Sequence, residues 1–171
     1  MHDTTILALT LAALPLAAAH AAPLQVETSA SFDAPPARVW QLLGDFTGLA
    51  SWHPAVAETT LQGGRNNVPG AVRVITVKDG GRIVEELLSY QAARRSLRYR
   101  IVESPLPVAD YVSTLRVLPK GTGSRVVWSS RFQRAEQAEM DDAAVKKLIA
   151  GIYQAGFEGA AKALGPAPGK P

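Results

Sequence analysis

The chain has 171 residues, of which 47% are apolar and 19% are charged, and its formal net charge is +3. This length and composition fit one globular domain with its own core and leave little room for a second. The 18 Lys and Arg residues are scattered along the chain. This distribution argues against nucleic-acid binding, because phosphate neutralisation requires a clustered patch. The lack of cysteine excludes disulfides, thiolate catalysis and cysteine-ligated metals.

The N-terminal segment has the pattern of a cleaved export signal. An apolar stretch from Ile6 to Ala19 is followed by small residues, and Ala19-His20-Ala21 fits the small-x-small cleavage pattern. The stretch contains Pro15 and is too short to anchor the protein in a bilayer. The residues before this stretch depart from the usual pattern of a signal peptide, because they lack Lys and Arg. The alternative interpretation of the segment is a buried N-terminal helix. We predict a signal peptide over residues 1–21 and a periplasmic or secreted protein whose one remaining histidine is His53.

The domain is predicted to begin with a strand and two short helices. Leu24 to Phe32 alternates as a half-buried strand does. Asp33 is expected to cap a first helix, which Pro35-Pro36 opens and which continues through Leu43. A second short helix is expected from residue 47 to about residue 52, where a following proline ends it.

The apolar period then changes from helical to twofold. Six further strands are predicted over residues 56–61, 71–78, 82–90, 95–103, 108–118 and 125–134. Asp79-Gly80-Gly81 and the glycines near residue 121 are typical of tight hairpin turns. Because the connections between successive strands are short, we predict an antiparallel sheet of about seven strands.

A long amphipathic helix is predicted from Glu139 to about Leu164. Apolar residues recur along it at helical spacing, and Asp141-Asp142 stand at the N-terminal end, where the helix dipole favours acidic side chains. Three glycines lie inside it: Gly151, Gly156 and Gly159. Each costs about 1 kcal/mol relative to alanine. A close approach of helix to sheet would explain them, and so would room for a ligand beneath the helix.

Several segments carry a family pattern. They are Ala34–Trp40 with Asp45-Phe46, Trp52-His53-Pro54, Gly70–Arg73, Val84–Leu87, Leu97–Tyr99 and Asp110–Leu115. Together with the order of elements, they resemble the START-like (SRPBCC, polyketide cyclase/dehydrase-like) superfamily across a domain of residues 22–165, followed by a flexible tail at 166–171. The resemblance implies an α+β helix-grip fold, in which a curved antiparallel sheet wraps around the C-terminal helix and leaves a cavity. With its export signal, the chain is most similar to the MxaD-like branch.

The sequence shows no catalytic or metal-binding constellation. A Ser-His-Asp triad would have to use His53, and no Gly-x-Ser-x-Gly turn is present. A metal site in the exported chain would lack both cysteine and a second histidine. Gly63-Gly64 and Gly80-Gly81 precede strands, whereas a phosphate-binding loop precedes a helix. We therefore predict no catalytic residue, no metal ligand and no cofactor.

Polar residues on the strands are the candidate ligand-binding positions. Resemblance to the abscisic-acid receptors of this superfamily implies that four positions line the cavity: Glu85, Tyr99, Tyr111 and Ser129. The candidate set also contains Trp52, His53, Glu103, Ser113, Arg131 and Tyr153. Alternation separates Arg131 from Trp128, and a shift of one residue would exchange the two faces. A buried Glu85 or Glu103 would need an ionic partner, and Arg131 or Arg73 is available.

Three functions are open at this point. The first is a non-catalytic carrier or sensor of a small hydrophobic ligand outside the cytoplasm, because the implied fold forms a cavity. The second is an accessory protein that docks on a periplasmic redox enzyme, which a filled core and an exposed apolar patch would favour. The third is a polyketide cyclase/dehydrase-type enzyme, with acid/base work by cavity residues. We expect no nucleic-acid partner and no membrane span in the mature form.

Overall fold

The computed structural model describes residues 22–165, so the predicted signal peptide and C-terminal tail lie outside the described residues. Within this range the strands are β1 Leu24–Phe32, β2 Val56–Gly63, β3 Val72–Val77, β4 Arg82–Gln91, β5 Ser96–Glu103, β6 Val108–Lys120 and β7 Gly123–Arg134. The α-helices are α1 Pro36–Leu43 and α2 Asp142–Leu164, and short 3-10 helices cover Leu49–Ser51 and Ala92–Arg94.

The strands of this range form one antiparallel sheet in the order β1-β7-β6-β5-β4-β3-β2. Strands β2 to β7 follow chain order because short turns join most neighbours. The turn between β3 and β4 contains Gly80 at a φ of 92°, a conformation that suits glycine. Strand β1 adds to the far edge beside β7. The predicted α+β helix-grip fold, with its seven-stranded sheet and long C-terminal helix, is confirmed.

The first helix begins with two prolines. Pro35 is the N-cap residue and Pro36 occupies the first turn, where the missing N–H of proline costs nothing. Asp33 provides no side-chain cap, so that prediction is wrong. The helix buries Val39 and Leu43 against the core.

The second predicted helix is a single 3-10 turn, Leu49–Ser51, and is shorter than expected. The Oδ1 atom of Asp45 accepts hydrogen bonds from the backbone N–H and the hydroxyl of Thr47, each at 3.1 Å. A local bond of this kind competes with helix formation, and it holds residues 45–47 in a turn.

Helix α2 begins at Asp142, three residues later than predicted. Asp141 is its N-cap, and the side chain of Asp141 accepts from the backbone N–H of Ala144 at 2.8 Å. One face is buried along the whole helix: Val145, Ile149, Tyr153, Gly156, Phe157, Ala160 and Leu164. Spacings of three and four residues place these side chains on one stripe, which packs against the sheet. Neither α-helix of residues 22–165 has the length and apolar character needed to cross a membrane.

Close packing explains two of the three glycines in α2. A Cβ atom at Gly156 would lie 2.8 Å from the Trp128 ring, and one at Gly159 would overlap the carbonyl oxygen of Trp52. A Cβ atom at Gly151 would have no neighbour within 4 Å, and no contact accounts for that glycine. The C-terminal half of α2 therefore lies directly on its neighbours, and room for a ligand is not the reason for Gly156 and Gly159.

Candidate ligand-binding site

A cavity of about 690 Å³ lies between the sheet and the N-terminal half of α2. The helix contributes Leu148, Ile149, Ile152 and Tyr153. The sheet and its loops contribute further apolar side chains: Val56, Ile75, Val77, Ile83, Ile101, Pro105 and Leu106. This volume is within the range of about 300–1,000 Å³ typical of small-molecule sites, and the walls are mainly apolar, as such sites require.

A buried ion pair lies in the wall of this cavity. Arg73 and Glu85 are opposite each other on β3 and β4, and their side chains are only 5% and 8% exposed. The Nε atom of Arg73 donates to Oε2 of Glu85 at 2.7 Å, and Nη2 lies 2.6 Å from the same oxygen. The Nη1 atom donates to the carbonyl oxygen of Phe46. The guanidinium also lies 4.1 Å from the centroid of the Phe46 ring.

The charge state of the pair follows from the ionisation chemistry of the two side chains. The pKa of the Glu85 carboxyl is raised overall, because the effect of burial exceeds the lowering by the charge of Arg73 and by its hydrogen bond. A guanidinium does not lose its proton in proteins, and an uncompensated buried charge is strongly destabilising. The ionised carboxylate is therefore the form of Glu85 that matches this contact, and the pair adds no net charge to the cavity.

A cluster of hydroxyl groups and an indole borders the cavity beside this pair. The hydroxyls of Tyr111 and Tyr153 form a hydrogen bond, and Oγ of Ser113 lies 3.2 Å from the Tyr153 hydroxyl. The Nε1 atom of Trp128 donates to the Tyr99 hydroxyl and to Ser113 Oγ, both at 3.0 Å. The rings of Trp128 and Tyr153 are stacked with centroids 4.4 Å apart. The cluster thus ties strands β5, β6 and β7 to α2.

Burial keeps these tyrosines neutral. It is the largest cause that raises the pKa of Tyr99, Tyr111 and Tyr153, and the negative charge of Glu85 also raises the pKa of Tyr99 and Tyr153. Each phenol is therefore protonated at neutral pH. The cluster can orient a polar group of a ligand by hydrogen bonds, but it supplies no phenolate.

His53 is neutral and both of its ring nitrogens have partners. Nε2 lies 3.1 Å from the carbonyl oxygen of Ile152, and Nδ1 accepts from the backbone N–H of Ala55 at 3.3 Å. Since a carbonyl only accepts, the hydrogen-bond pattern assigns the ring proton to Nε2. Burial is the main cause that lowers the pKa of His53, the charge of Arg73 lowers it further, and the Ile152 carbonyl raises it. The two hydrogen bonds of His53 therefore hold the loop before β2 against α2.

The comparisons with known proteins agree with this architecture. Residues 23–165 match the family model described as polyketide cyclase / dehydrase and lipid transport. The chain belongs to this family.

Three proteins are similar to this chain to different degrees. XoxI from Bacillus cereus is 32% identical, with a TM-score of 0.73, and the match covers 82% of this chain and 94% of that one. MLP-like protein 423 from Arabidopsis thaliana is 29% identical over 124 residues, 68% of this chain and 79% of its own length. Ara h 8.0201 is 17% identical with a TM-score of 0.68, over 83% of this chain and 97% of that one, and shares the fold alone.

In this member of the polyketide cyclase/dehydrase and lipid transport family, most of the sequence-predicted residues lie inside the fold. Those that line the cavity are His53, Glu85, Tyr99, Tyr111 and Tyr153. Ser113 and Trp52 are buried next to them, and Trp52 packs edge-on against Trp128 at 5.8 Å between centroids. The Arg73–Glu85 pairing is one of those foreseen from the sequence. Ligand binding by these residues stays a prediction.

The placement of Glu103 in the cavity is wrong. Glu103 is exposed and forms an ion pair with Arg82 at 3.0 Å. A β-bulge causes the difference, because Ile101 pairs with Glu85 whereas Glu103 pairs with Val84, leaving one extra residue on β5. The alternation that leads from Tyr99 to Ile101 therefore does not continue to Glu103.

The placement of Ser129 and Arg131 in the cavity is also wrong. Strand β7 turns Trp128 and Phe132 inward, and both are buried. Ser129 and Arg131 consequently face outward, where they line a groove of about 740 Å³ on the other side of the sheet. The deciding signal in the sequence is the pair of large aromatic side chains four residues apart, whose burial outweighs that of a serine and an arginine.

Sequence reasoning missed part of the cavity wall. The face that Trp128 occupies was left open, and Arg73 was considered only as a partner for a buried carboxylate. The apolar lining from β3, β4 and β5 was not separated from ordinary core. Within residues 22–165, no group of three His, Asp or Glu side chains is placed to hold a metal ion.

Proposed function

We propose that this protein is an exported carrier or sensor that holds a small hydrophobic molecule between its sheet and α2, without catalysis. The observation that carries the proposal is the cavity of about 690 Å³, whose walls are apolar apart from a few convergent polar groups. The family description, which includes lipid transport, supports the same class of ligand.

The polar groups of the cavity support binding more than acid/base chemistry. Both nitrogens of His53 are engaged by backbone groups, and the carboxylate of Glu85 is held by Arg73. The tyrosines are protonated at neutral pH, and burial raises their pKa further. Because of their contacts within the protein, neither His53 nor Glu85 is free to act as a general acid or base in this arrangement.

The surface gives less support to an accessory protein that docks through an apolar patch. Among the described residues, the exposed large hydrophobic side chains are Leu61, Val102 and Met140. They lie on β2, on β5 and before α2, and two strands separate β2 from β5 in the sheet. Scattered single side chains of this kind are normal on a protein surface.

Binding of N-phenyl-1-naphthylamine, a neutral apolar fluorophore, tests the proposal. Ile101 lines the cavity, and the next residue, Val102, points away from it with 56% of its area exposed. We expect saturable binding by the wild-type protein, a loss of about tenfold or more in affinity for Ile101→Trp, which fills the cavity, and no loss for Val102→Trp. Absence of saturable binding in the wild type, or equal behaviour of the two variants, would overturn the proposal.

The export part of the proposal rests on the small residues Ala19-His20-Ala21. The protein for this titration is therefore isolated from the periplasm of a bacterial host that expresses the full chain. Its intact mass should correspond to a chain beginning at Ala22. A mass that includes Met1 to Ala21, found in the cytoplasm, would contradict export while leaving the binding measurement valid.

A further inference from the structure

The cavity has a specific polar feature, a carboxylate and a guanidinium that satisfy each other. We infer that the site selects neutral apolar molecules that carry a hydroxyl group, and discriminates against carboxylates of the same size. The inference deepens the proposed function and rests on it, because it names the chemical class of the molecule that the cavity takes.

The cavity offers an anion no net positive charge. Its charged lining residues are two cations and two anions: Arg73, Lys78, Asp79 and Glu85. Lys78 and Asp79 are exposed at the rim, where water and salt screen them. Only the buried pair remains inside, and its charges cancel. His53 is neutral, so it does not alter this balance.

The guanidinium of Arg73 is already occupied on several sides. Nε and Nη2 both contact Oε2 of Glu85, and Nη1 donates to the carbonyl oxygen of Phe46. The rings of Phe46 and Tyr99 lie 4.1 and 5.2 Å from the guanidinium carbon. A ligand carboxylate could form the two parallel bonds typical of arginine only by displacing Glu85. It would also have to lie beside the negative charge of the buried Glu85 carboxylate.

Glu85 keeps one oxygen for a ligand. Both contacts from Arg73 are made to Oε2, and Oε1 receives no hydrogen bond from any of residues 22–165. An ionised carboxylate only accepts hydrogen bonds, so its natural ligand partner is a donor. A hydroxyl group donating to Oε1 would form a charge-assisted bond, which is about twice as strong as a neutral one. An apolar alcohol or phenol therefore fits, whereas a fatty or aromatic acid brings an acceptor to an acceptor.

Three naphthalene probes with the same ring system test this inference by displacing N-phenyl-1-naphthylamine. They are 1-naphthalenemethanol, 1-naphthoic acid, which is ionised at neutral pH, and 1-methylnaphthalene, which has no polar group. We expect the alcohol to displace the fluorophore at about tenfold or more lower concentration than the acid and at clearly lower concentration than the methyl compound. An acid that competes as well as the alcohol, or an alcohol no better than the methyl compound, would overturn the inference.

A variant separates the effect of Glu85 from the general preference of an apolar site for neutral molecules. Glu85→Gln leaves the charge of Arg73 uncompensated, so we expect the alcohol-to-acid ratio of affinities to shift toward the acid by about tenfold or more. Glu86→Gln is the matched control, because Glu86 is the adjacent residue and pairs with Arg100 at an exposed site. An unchanged ratio in a folded Glu85→Gln protein would overturn the role of Glu85.

The outcomes for the two proposals remain distinct. If Glu85→Gln does not fold, the wild-type ranking of the three probes still decides the inference. If the wild type binds neither the fluorophore nor any probe, the proposed function fails. If the wild type binds the fluorophore and the acid competes best, only the selectivity for hydroxyl-bearing molecules fails.

Discussion

At the scale of single residues, His53 makes the folded state sensitive to mild acid. Burial lowers the pKa of His53 below its ordinary value of 6.5, so the unfolded chain binds a proton at pH values at which the folded protein does not. The free energy of unfolding is thus unaffected above this value and decreases as the pH falls below it. Between about pH 7.5 and about pH 5.5, this linkage removes up to about 1.4 kcal/mol.

Urea denaturation at these two pH values measures the effect. We expect His53→Gln to lose less free energy of unfolding on acidification than the wild type, because the substituted side chain does not titrate. Any other group that titrates in this range contributes equally to both proteins. Equal losses would show that His53 has the same pKa in the folded and unfolded states.

For the candidate site, the sequence predicted only which residues of a strand share one face of the sheet. Period-two patterning groups Ser129 with Arg131 and Trp128 with Phe132, but it does not say which group faces inward. The structure shows that the aromatic pair faces inward. The predicted placement of Glu103 was wrong for a different reason. The bulge that redirects β5 has no signature in the sequence of that strand. Glu85 and Tyr99 do line the cavity, as the family resemblance implied.

At the scale of elements, the glycines of α2 provide a comparison within one helix. Gly156 has the Trp128 ring where a methyl group would go, while Gly151 has open space. We expect Gly156→Ala to lower the free energy of unfolding by about 1–3 kcal/mol through overpacking. Gly151→Ala should raise it by up to about 1 kcal/mol, the difference in helix propensity.

Thermal or urea denaturation of the two variants provides the measurement. The substitution is identical and both positions lie in the same helix, so propensity alone predicts the same gain for both. Stabilisation by Gly156→Ala would mean that α2 is not held against Trp128 as closely as the structure shows.

Element boundaries were less predictable than element types. The seven strands and the long helix follow from apolar periodicity, but α2 begins at Asp142 because Asp141 caps it, three residues after the periodic pattern starts. The second short helix reduces to one 3-10 turn because Asp45 bonds locally to Thr47. In both cases a side-chain hydrogen bond decides the boundary, and hydrophobic patterning does not report such bonds.

At the scale of the whole molecule, a ligand in the cavity should stabilise the fold by mass action. At a free concentration of about one hundred times Kd, binding adds about 2.7 kcal/mol to the free energy of unfolding. For a domain of this size, that gain corresponds to an increase of about 5–10 °C in Tm.

Differential scanning calorimetry with N-phenyl-1-naphthylamine checks this expectation. Val102→Trp should show the same increase as the wild type, and Ile101→Trp should show little, because its side chain occupies the cavity. A similar increase in all three proteins would indicate binding at a surface site instead of the cavity.

The global fold was more predictable than the cavity. The order of strand, helices, strands and long helix restricts the topology, because short turns impose antiparallel neighbours. The cavity depends instead on where side chains fail to meet. Ile75, Ile83 and Ile101 have the alternation of an ordinary core, and nothing in their spacing distinguishes residues around a void from residues that fill it.

The unequal support beneath α2 has a consequence for the movement of a ligand in and out. The C-terminal half rests on Trp52 and Trp128, and its last carbonyl group accepts from Arg38 at 2.8 Å. The N-terminal half spans the cavity, and its ion pair between Arg134 and Asp142 is exposed to solvent and weak. We therefore expect local opening to require less free energy in the first turns than in the last ones. The residence time of a bound molecule would then depend on how often the N-terminal half of this one helix lifts away from the sheet.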